Sequence, residues 1–181
     1  MVWSTYESPL GPLTLIAAGI GLRELHFPGR APALDPAELD PGSFRDVHDQ
    51  LDEYFAGERE TFELALDLPA TPFQRQVWHA LGKLPYGRAT TYGGLARQLD
   101  VGESGTLHTG TRPASAAQKV GWAIGATPTP IIVPCHRVVG ANGSLTGYRG
   151  GLHRKRQLLD FEAAGAGRAT FWSHRGQLAL M

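Results

Sequence analysis

Hydrophobic and polar positions change period several times along the chain, and each change predicts an element. Leu13, Leu15 and Ile16, with Thr14 between them, read as a strand over residues 13–17, entered from the turn signal Ser8-Pro9-Leu10-Gly11-Pro12. Ala18-Gly19-Ile20-Gly21 interrupts the run, and partial alternation resumes over residues 22–27, so the two stretches are expected to pair as a hairpin. Pro28, Pro32, Pro36 and Pro41 mark residues 28–42 as loop. Ser43 then caps a predicted helix whose Phe44, Val47, Leu51, Tyr54 and Phe55 share a face, ending near Gly57. Strict alternation at Phe62, Leu64, Leu66 and Leu68 predicts one more half-buried strand.

From Thr71 onward the period is helical. Thr71 is a cap and Pro72 a first helical residue; Phe73, Val77, Leu81 and Leu84 form the face, and Pro85-Tyr86-Gly87 closes the helix. Thr91 caps a second helix with Tyr92, Leu95, Ala96 and Leu99 inward, and a third runs over residues 115–125 with Ala116, Val120, Ala123 and Ile124 on one face. Two short helices in a basic region predict a helix-turn-helix, although residues 100–114 far exceed the usual turn of about 3–4 residues. Pro128, Pro130 and Pro134 forbid a helix and predict an extended path into Cys135. A turn over 140–143 leads to a last helix over 152–164. The outcome is an α/β (α+β) fold with two domains, 1–70 and 71–181.

Charge supports the division. The formal net charge is zero, yet residues 1–70 hold four basic and thirteen acidic side chains, a balance of −9, and residues 71–181 hold the reverse. Either the halves attract each other, or a polyanion is drawn to the second half alone. No stretch approaches the roughly 18 apolar residues of a membrane span, and the first residues lack a signal-peptide layout. The single cysteine forms neither an intramolecular disulfide nor a cysteine-rich zinc site. An intracellular, cytoplasmic protein is expected, with no membrane, metal or cofactor.

A lone cysteine is more often a small buried hydrophobe than a nucleophile. Cys135, however, is followed by His136 and Arg137, and nearby cations or a base favour the reactive thiolate. In an extended segment neighbouring side chains point to opposite faces, so thiol and imidazole would need a bridging water or a local bend. In the last helix Arg154, Lys155 and Arg156 come early and Glu162 late, against the helix dipole. That placement points to an anionic substrate or a catalytic role.

Pro134-Cys135-His136-Arg137-Val138 after Ile131-Ile132-Val133, then Gly147-Tyr148-Arg149-Gly150-Gly151-Leu152 and Lys155, resembles the signature of the methylated-DNA–protein-cysteine methyltransferases, the O6-alkylguanine-DNA alkyltransferases. Ser8-Pro9-Leu10-Gly11-Pro12-Leu13, Thr71-Pro72-Phe73-Gln74 and Pro85-Tyr86-Gly87 with Thr91-Tyr92 extend the similarity over most of the chain. The resemblance implies a small N-terminal ribonuclease-H-like sheet domain and a C-terminal winged-helix-like domain. It implies stoichiometric transfer of an alkyl group from O6-alkylguanine in double-stranded DNA, with O4-alkylthymine a further substrate. The DNA is bound through the minor groove by a monomer and the base is flipped out. Neither metal nor cofactor is implied.

Residue by residue, the resemblance makes Cys135 the nucleophile, His136 its base through a water, and Glu162 the group that orients the histidine. Tyr92 bonds the guanine ring, Tyr148 walls the pocket and Lys155 lies near the leaving oxygen. Val138 and Arg149 offer backbone groups to the base. Ala116 and Ala117 let the recognition helix approach DNA closely, and Lys119 and Arg137 join the DNA-binding residues. Thr127 and Gln118 stand where the family usually has Asn and Arg, and the 100–114 segment is lengthened. Arg112 in that segment is expected to supply part of what Gln118 lacks. A binding-only lesion sensor and a thiol-based DNA-binding regulator are the competing functions; the sensors replace the cysteine that this chain retains.

Overall fold

Val2–Ser8 (β1) turns back through Pro9 and Leu10 into Gly11–Ala18 (β2), which pairs in turn with Gly21–His26 (β3), giving an antiparallel sheet in the order β1-β2-β3. The computed structural model describes residues 1–102 and 114–167. Strand β1 is missing from the sequence reading because its buried face carries Ser4 beside Tyr6, which masks the apolar alternation. The same face meets helix α1, Arg45–Ala56: the Tyr6 hydroxyl donates to Asp52 at 2.8 Å and its ring stacks on Phe55. Leu13, Leu15, Leu25, Phe27, Phe44, Leu51 and Tyr54 are among the largest fully buried side chains of this unit.

Two expectations here are corrected. Residues 62–68 form no full strand. Only Leu66 bridges, parallel, to Leu22, whose N–H donates to Ala65 O and whose carbonyl accepts from Asp67 N–H. Farther along, the Leu25 N–H is taken by the Pro128 carbonyl at 2.9 Å, so the segment has no edge left to pair with. The approach at Leu22 depends on Gly21, where a Cβ would lie 2.1 Å from Ala65 O. Nor does Ser43 cap α1: it lies inside a short 3-10 helix, Pro41–Phe44, capped by Asp40, and its hydroxyl donates to that carboxylate. Helix α1 follows directly without a side-chain cap and ends on left-handed Gly57.

The chain folds as two compact units, Met1–Pro69 with Pro128–Val133, and Ala70–Thr127 with Pro134 onward. The proline-rich segment thus belongs with the first unit, and its path is a turn. Val133 N–H donates to Thr129 O, and Ile131 takes φ 79°. A β-branched residue in the left-handed region is strained and persists only where packing dictates it; Ile131 is buried.

The second unit holds Pro72–Gly82 (α2), Thr90–Thr91 (β4), Tyr92–Gln98 (α3), Ala116–Gly125 (α4), Val138–Val139 (β5) and Leu152–Gly165 (α5). Thr71 and Gln74 make a reciprocal capping box on α2, and Thr91 caps α3. The Trp78 indole donates to Ala123 O, tying α2 to α4 over a core that includes Val77, Leu81, Leu95, Val120 and Leu158. Helices α3 and α4 are the expected pair; Arg112 and most of the lengthened segment lie outside the described residues. Among the described residues no helix is long and apolar enough to cross a membrane.

Candidate active site

Cys135, His136 and Arg137 form one turn of 3-10 helix, not the extended run that the prolines predict. Successive side chains in such a turn fan out by about a third of a revolution, so the three residues reach three environments. The two residues that follow, β5, pair in parallel with β4 as Thr90↔Val138 and Thr91↔Val139. Through that pairing the start of α3, and hence Tyr92, is fixed beside the cysteine turn. On α5, Lys155 and Glu162 are seven residues apart and share the buried stripe with Leu158, Leu159 and Ala163.

His136 Nε2 lies 2.8 Å from Glu162 Oε1, with both side chains buried. Arg137 Nε donates to Glu162 Oε2 and Arg137 Nη2 to Oε1, each at 2.8 Å; the Gly87 N–H also donates to Oε2. Gly87 is required there, with φ at +66° and a Cβ that would lie 2.8 Å from Glu162 O. Burial alone would raise the Glu162 carboxyl, but His136 and Arg137 outweigh it and hold the group well below the usual carboxylate range. Burial lowers His136 despite the pull of Glu162. The imidazole is therefore neutral at neutral pH. With Nε2–H donated to Glu162, the lone pair falls on Nδ1, which is buried and has no protein partner among the described residues.

Arg137 is a correction. Its guanidinium is buried, bonds Glu162 and the Leu84 carbonyl, and stacks 5.7 Å from the Tyr86 ring centre. A phosphate cannot reach it, and its work is to hold Glu162. Lys155 is fully buried, 0% exposed, with Nζ donating to Thr146 O at 2.8 Å and lying 5.9 Å from the Tyr92 ring centre. Burial lowers Lys155 to about 8.

Cys135 opens on a cavity of about 400 Å³, within the range of small-ligand sites. One wall is α4, through Gly121, Ile124 and Gly125; another is the loop Thr146, Gly147, Tyr148 and Arg149; Tyr92 and Thr127 complete it. The Tyr92 hydroxyl reaches Thr146 O at 3.5 Å, and burial pushes this phenol and that of Tyr148 upward. Burial pushes the Cys135 thiol up to about 11, against the pull of Lys155, a backbone hydrogen bond, Thr127 and Arg149. Val138 is buried, pairs with Thr90 of β4 and gives its N–H to Cys135 O.

On the outer part of α4, Ser115 and Gln118 form a capping box: Gln118 Oε1 accepts from Ser115 N–H at 2.8 Å, and Ser115 Oγ from Gln118 N–H. Lys119 Nζ donates to Gly102 O. Ala116 and Ala117 begin the helix and line a second cleft, with Gly93 and Ala96 of α3. Sequence reasoning missed Gly87, the Thr146 carbonyl and the α4 wall. Only Gly87 had a signal, as a turn glycine.

Both halves of the chain match known proteins. The family model described as 6-O-methylguanine DNA methyltransferase, DNA binding domain, matches residues 72–164, and the corresponding ribonuclease-like domain matches residues 1–68. The chain is 45% identical to a methylated-DNA–protein-cysteine methyltransferase of Mycobacterium tuberculosis, covering 91% of this chain and 93% of the relative. It is 39% identical to the protein of the same name from Methanosarcina acetivorans, covering 91% and 99%. Its fold superposes on the crystal structure of the M. tuberculosis OGT in complex with DNA with a TM-score of 0.78, at 44% identity over 91% of this chain and 94% of the other. With both family domains matched in order along the same chain, it belongs to the 6-O-methylguanine DNA methyltransferase family.

Proposed function

We propose that this protein repairs DNA by moving an alkyl group from O6 of guanine onto Cys135 Sγ, and that each molecule reacts once. The observation that carries the reading is a thiol facing a base-sized cavity, on the same turn as a buried histidine held by a carboxylate. His136 Nδ1 takes the thiol proton through a bridging water, which a buried and otherwise unpaired ring nitrogen requires. Glu162 holds the tautomer and Arg137 holds Glu162. Sulfur attacks the alkyl carbon, the S–C bond forms, the C–O6 bond breaks, and the departing guanine takes up a proton. Tyr92 bonds the ring, Tyr148 walls it, Thr127 and the Arg149 backbone border it, and Lys155 offsets charge near the leaving oxygen. A thioether is a poor leaving group, so no step returns the thiol.

Within a stacked duplex the alkyl carbon is out of reach of a thiol in a cavity, so the nucleotide is flipped out. The basic half docks a monomer in the minor groove, with Ala116 and Ala117 allowing close approach and Gln118 and Lys119 facing the strand. Gln118 is neutral and shorter than arginine, and Arg112 supplies part of the gap-filling. The reaction takes place in the cytoplasm, where the single cysteine stays reduced. The test is Cys135→Ser: duplex affinity should stay within a few-fold of the parent while methyl transfer vanishes. Transfer by that variant would overturn the reading.

A further inference from the structure

Thr127 is 2% exposed, borders the Cys135 cavity, and its hydroxyl has no hydrogen-bond partner among the described residues, yet it lies close enough to favour the charged form of the Cys135 sulfur. A buried hydroxyl without a partner is costly, and such atoms are rare enough to require an account. The backbone places it there: Thr127 N–H closes the end of α4 onto Ile124 O, so the side chain is delivered to the cavity at the point where the helix ends. Its neighbour Thr129 is equally buried and also unpaired, but it does not border the cavity. Of these two threonines, Thr127 alone lines the cavity with Cys135.

We infer that Thr127 is a catalytic residue of the transferase: its hydroxyl turns to donate a hydrogen bond to the Cys135 thiolate and holds that thiolate ready for the alkyl carbon. While sulfur is protonated the hydroxyl accepts from S–H; once the proton has left, the same hydroxyl rotates and donates. Thr127 gives up no proton. The S–C bond forms with one sulfur lone pair, and the hydroxyl binds another. The role matters because burial opposes the charged sulfur and the cations near it are few. The charged or titratable groups that face it are Lys155 on α5, Arg149 and Tyr148 on the loop, and Tyr92 on α3, with His136 and Glu162 behind. Of these, Lys155 is itself committed to Thr146 O.

The inference rests on Cys135 being the alkyl acceptor, and the test separates the two. Thr127→Val keeps shape and removes the hydroxyl. Thr127→Ser and Thr127→Ala form a second pair that differs by the hydroxyl alone, should the valine variant fold poorly. Thiolate reactivity is followed at fixed neutral pH by alkylation of Cys135 with iodoacetamide and, separately, with free benzylguanine. A hydrogen bond to a charged group changes an equilibrium roughly tenfold to a hundredfold. Thr127→Val and Thr127→Ala should therefore slow both reagents by about tenfold to a hundredfold at neutral pH, with Thr127→Ser within a few-fold of the parent. Iodoacetamide reports on the thiolate even if no alkylguanine reacts. An unchanged iodoacetamide rate in Thr127→Ala would overturn the inference, as would slowing with benzylguanine alone, which would give the hydroxyl to the guanine. A serine variant as slow as the alanine one would overturn it too.

Discussion

Replacing Arg137 by methionine separates a structural cation from a DNA contact. In the folded protein the guanidinium makes two buried bonds to Glu162 at 2.8 Å and a partly buried one to Leu84 O at 2.6 Å. Methionine fills much of the same volume but removes both guanidinium bonds to Glu162, while those from His136 and the Gly87 N–H stay. Removing one member of a buried pair costs about 3–5 kcal/mol, a large share of a typical stability of about 5–15 kcal/mol. At about 2–4 °C per kcal/mol for a chain of this size, the melting temperature should fall by roughly 6–20 °C. Burial is the main cause of the lowered His136 pKa, but the Arg137 charge contributes, so its loss lets the imidazole protonate at higher pH and moves the acid limb of transfer upward. Urea unfolding, a pH series of transfer rates and a salt series of duplex affinity are the assays. A loss below about 1 kcal/mol together with a shallower salt slope would refute the reasoning, because a shallower slope is the mark of a lost phosphate contact.

The remaining predictions concern the relay and the DNA face. His136→Ala, Glu162→Gln and their double variant should slow methyl transfer by similar factors, because an orienting carboxylate serves only a base that is present; fully multiplicative losses in single-turnover rates would count against the relay. Transfer should be flat near neutrality and fall only below the ordinary histidine value of 6.5, since the folded pKa is lowered; a limb centred above 6.5 would contradict the neutral imidazole. Glu162 is also lowered, so its stabilisation is complete above the ordinary carboxylate value of 4.5 and lost as pH falls toward the lowered pKa; Glu162→Gln should flatten that acid loss in unfolding curves. Arg112→Ala should slow repair of methylated duplex more than reaction with free benzylguanine, and Gln118→Arg should restore it; equal slowing of both substrates would place the effect in the pocket.

Much of the fold was legible because its signals are local. Thr71-Pro72 with Gln74 specifies α2, Thr91 specifies α3, and Gly57 ends α1 in the left-handed conformation, each through a cap that the chain carries beside the helix. What failed depends on distant partners. Alternation over residues 62–68 promised a strand, but whether it pairs is decided at β3, where Pro128 occupies the edge at Leu25. The prolines excluded a helix before Cys135 but could not choose between an extended path and the turn at Ile131. In the site, the charges of α5 were noticed because they oppose the helix dipole, yet the reason lies elsewhere. Lys155 answers to the Thr146 carbonyl and Glu162 to His136 and Arg137, and neither is a solvated charge. Arg137 reads as a DNA contact in a basic half and becomes a buried brace only once its neighbours are known.

The central claim is that Cys135 is the acceptor and reacts once. Its most direct test is the mass of the intact protein, and then of its Cys135 peptide, after incubation with excess duplex containing O6-methylguanine. The account predicts a gain of one methyl group per molecule, located on Cys135, with the amount of repaired duplex reaching a plateau equal to the amount of protein. Repair that continues past that plateau, or a methyl group on any other residue, would contradict it.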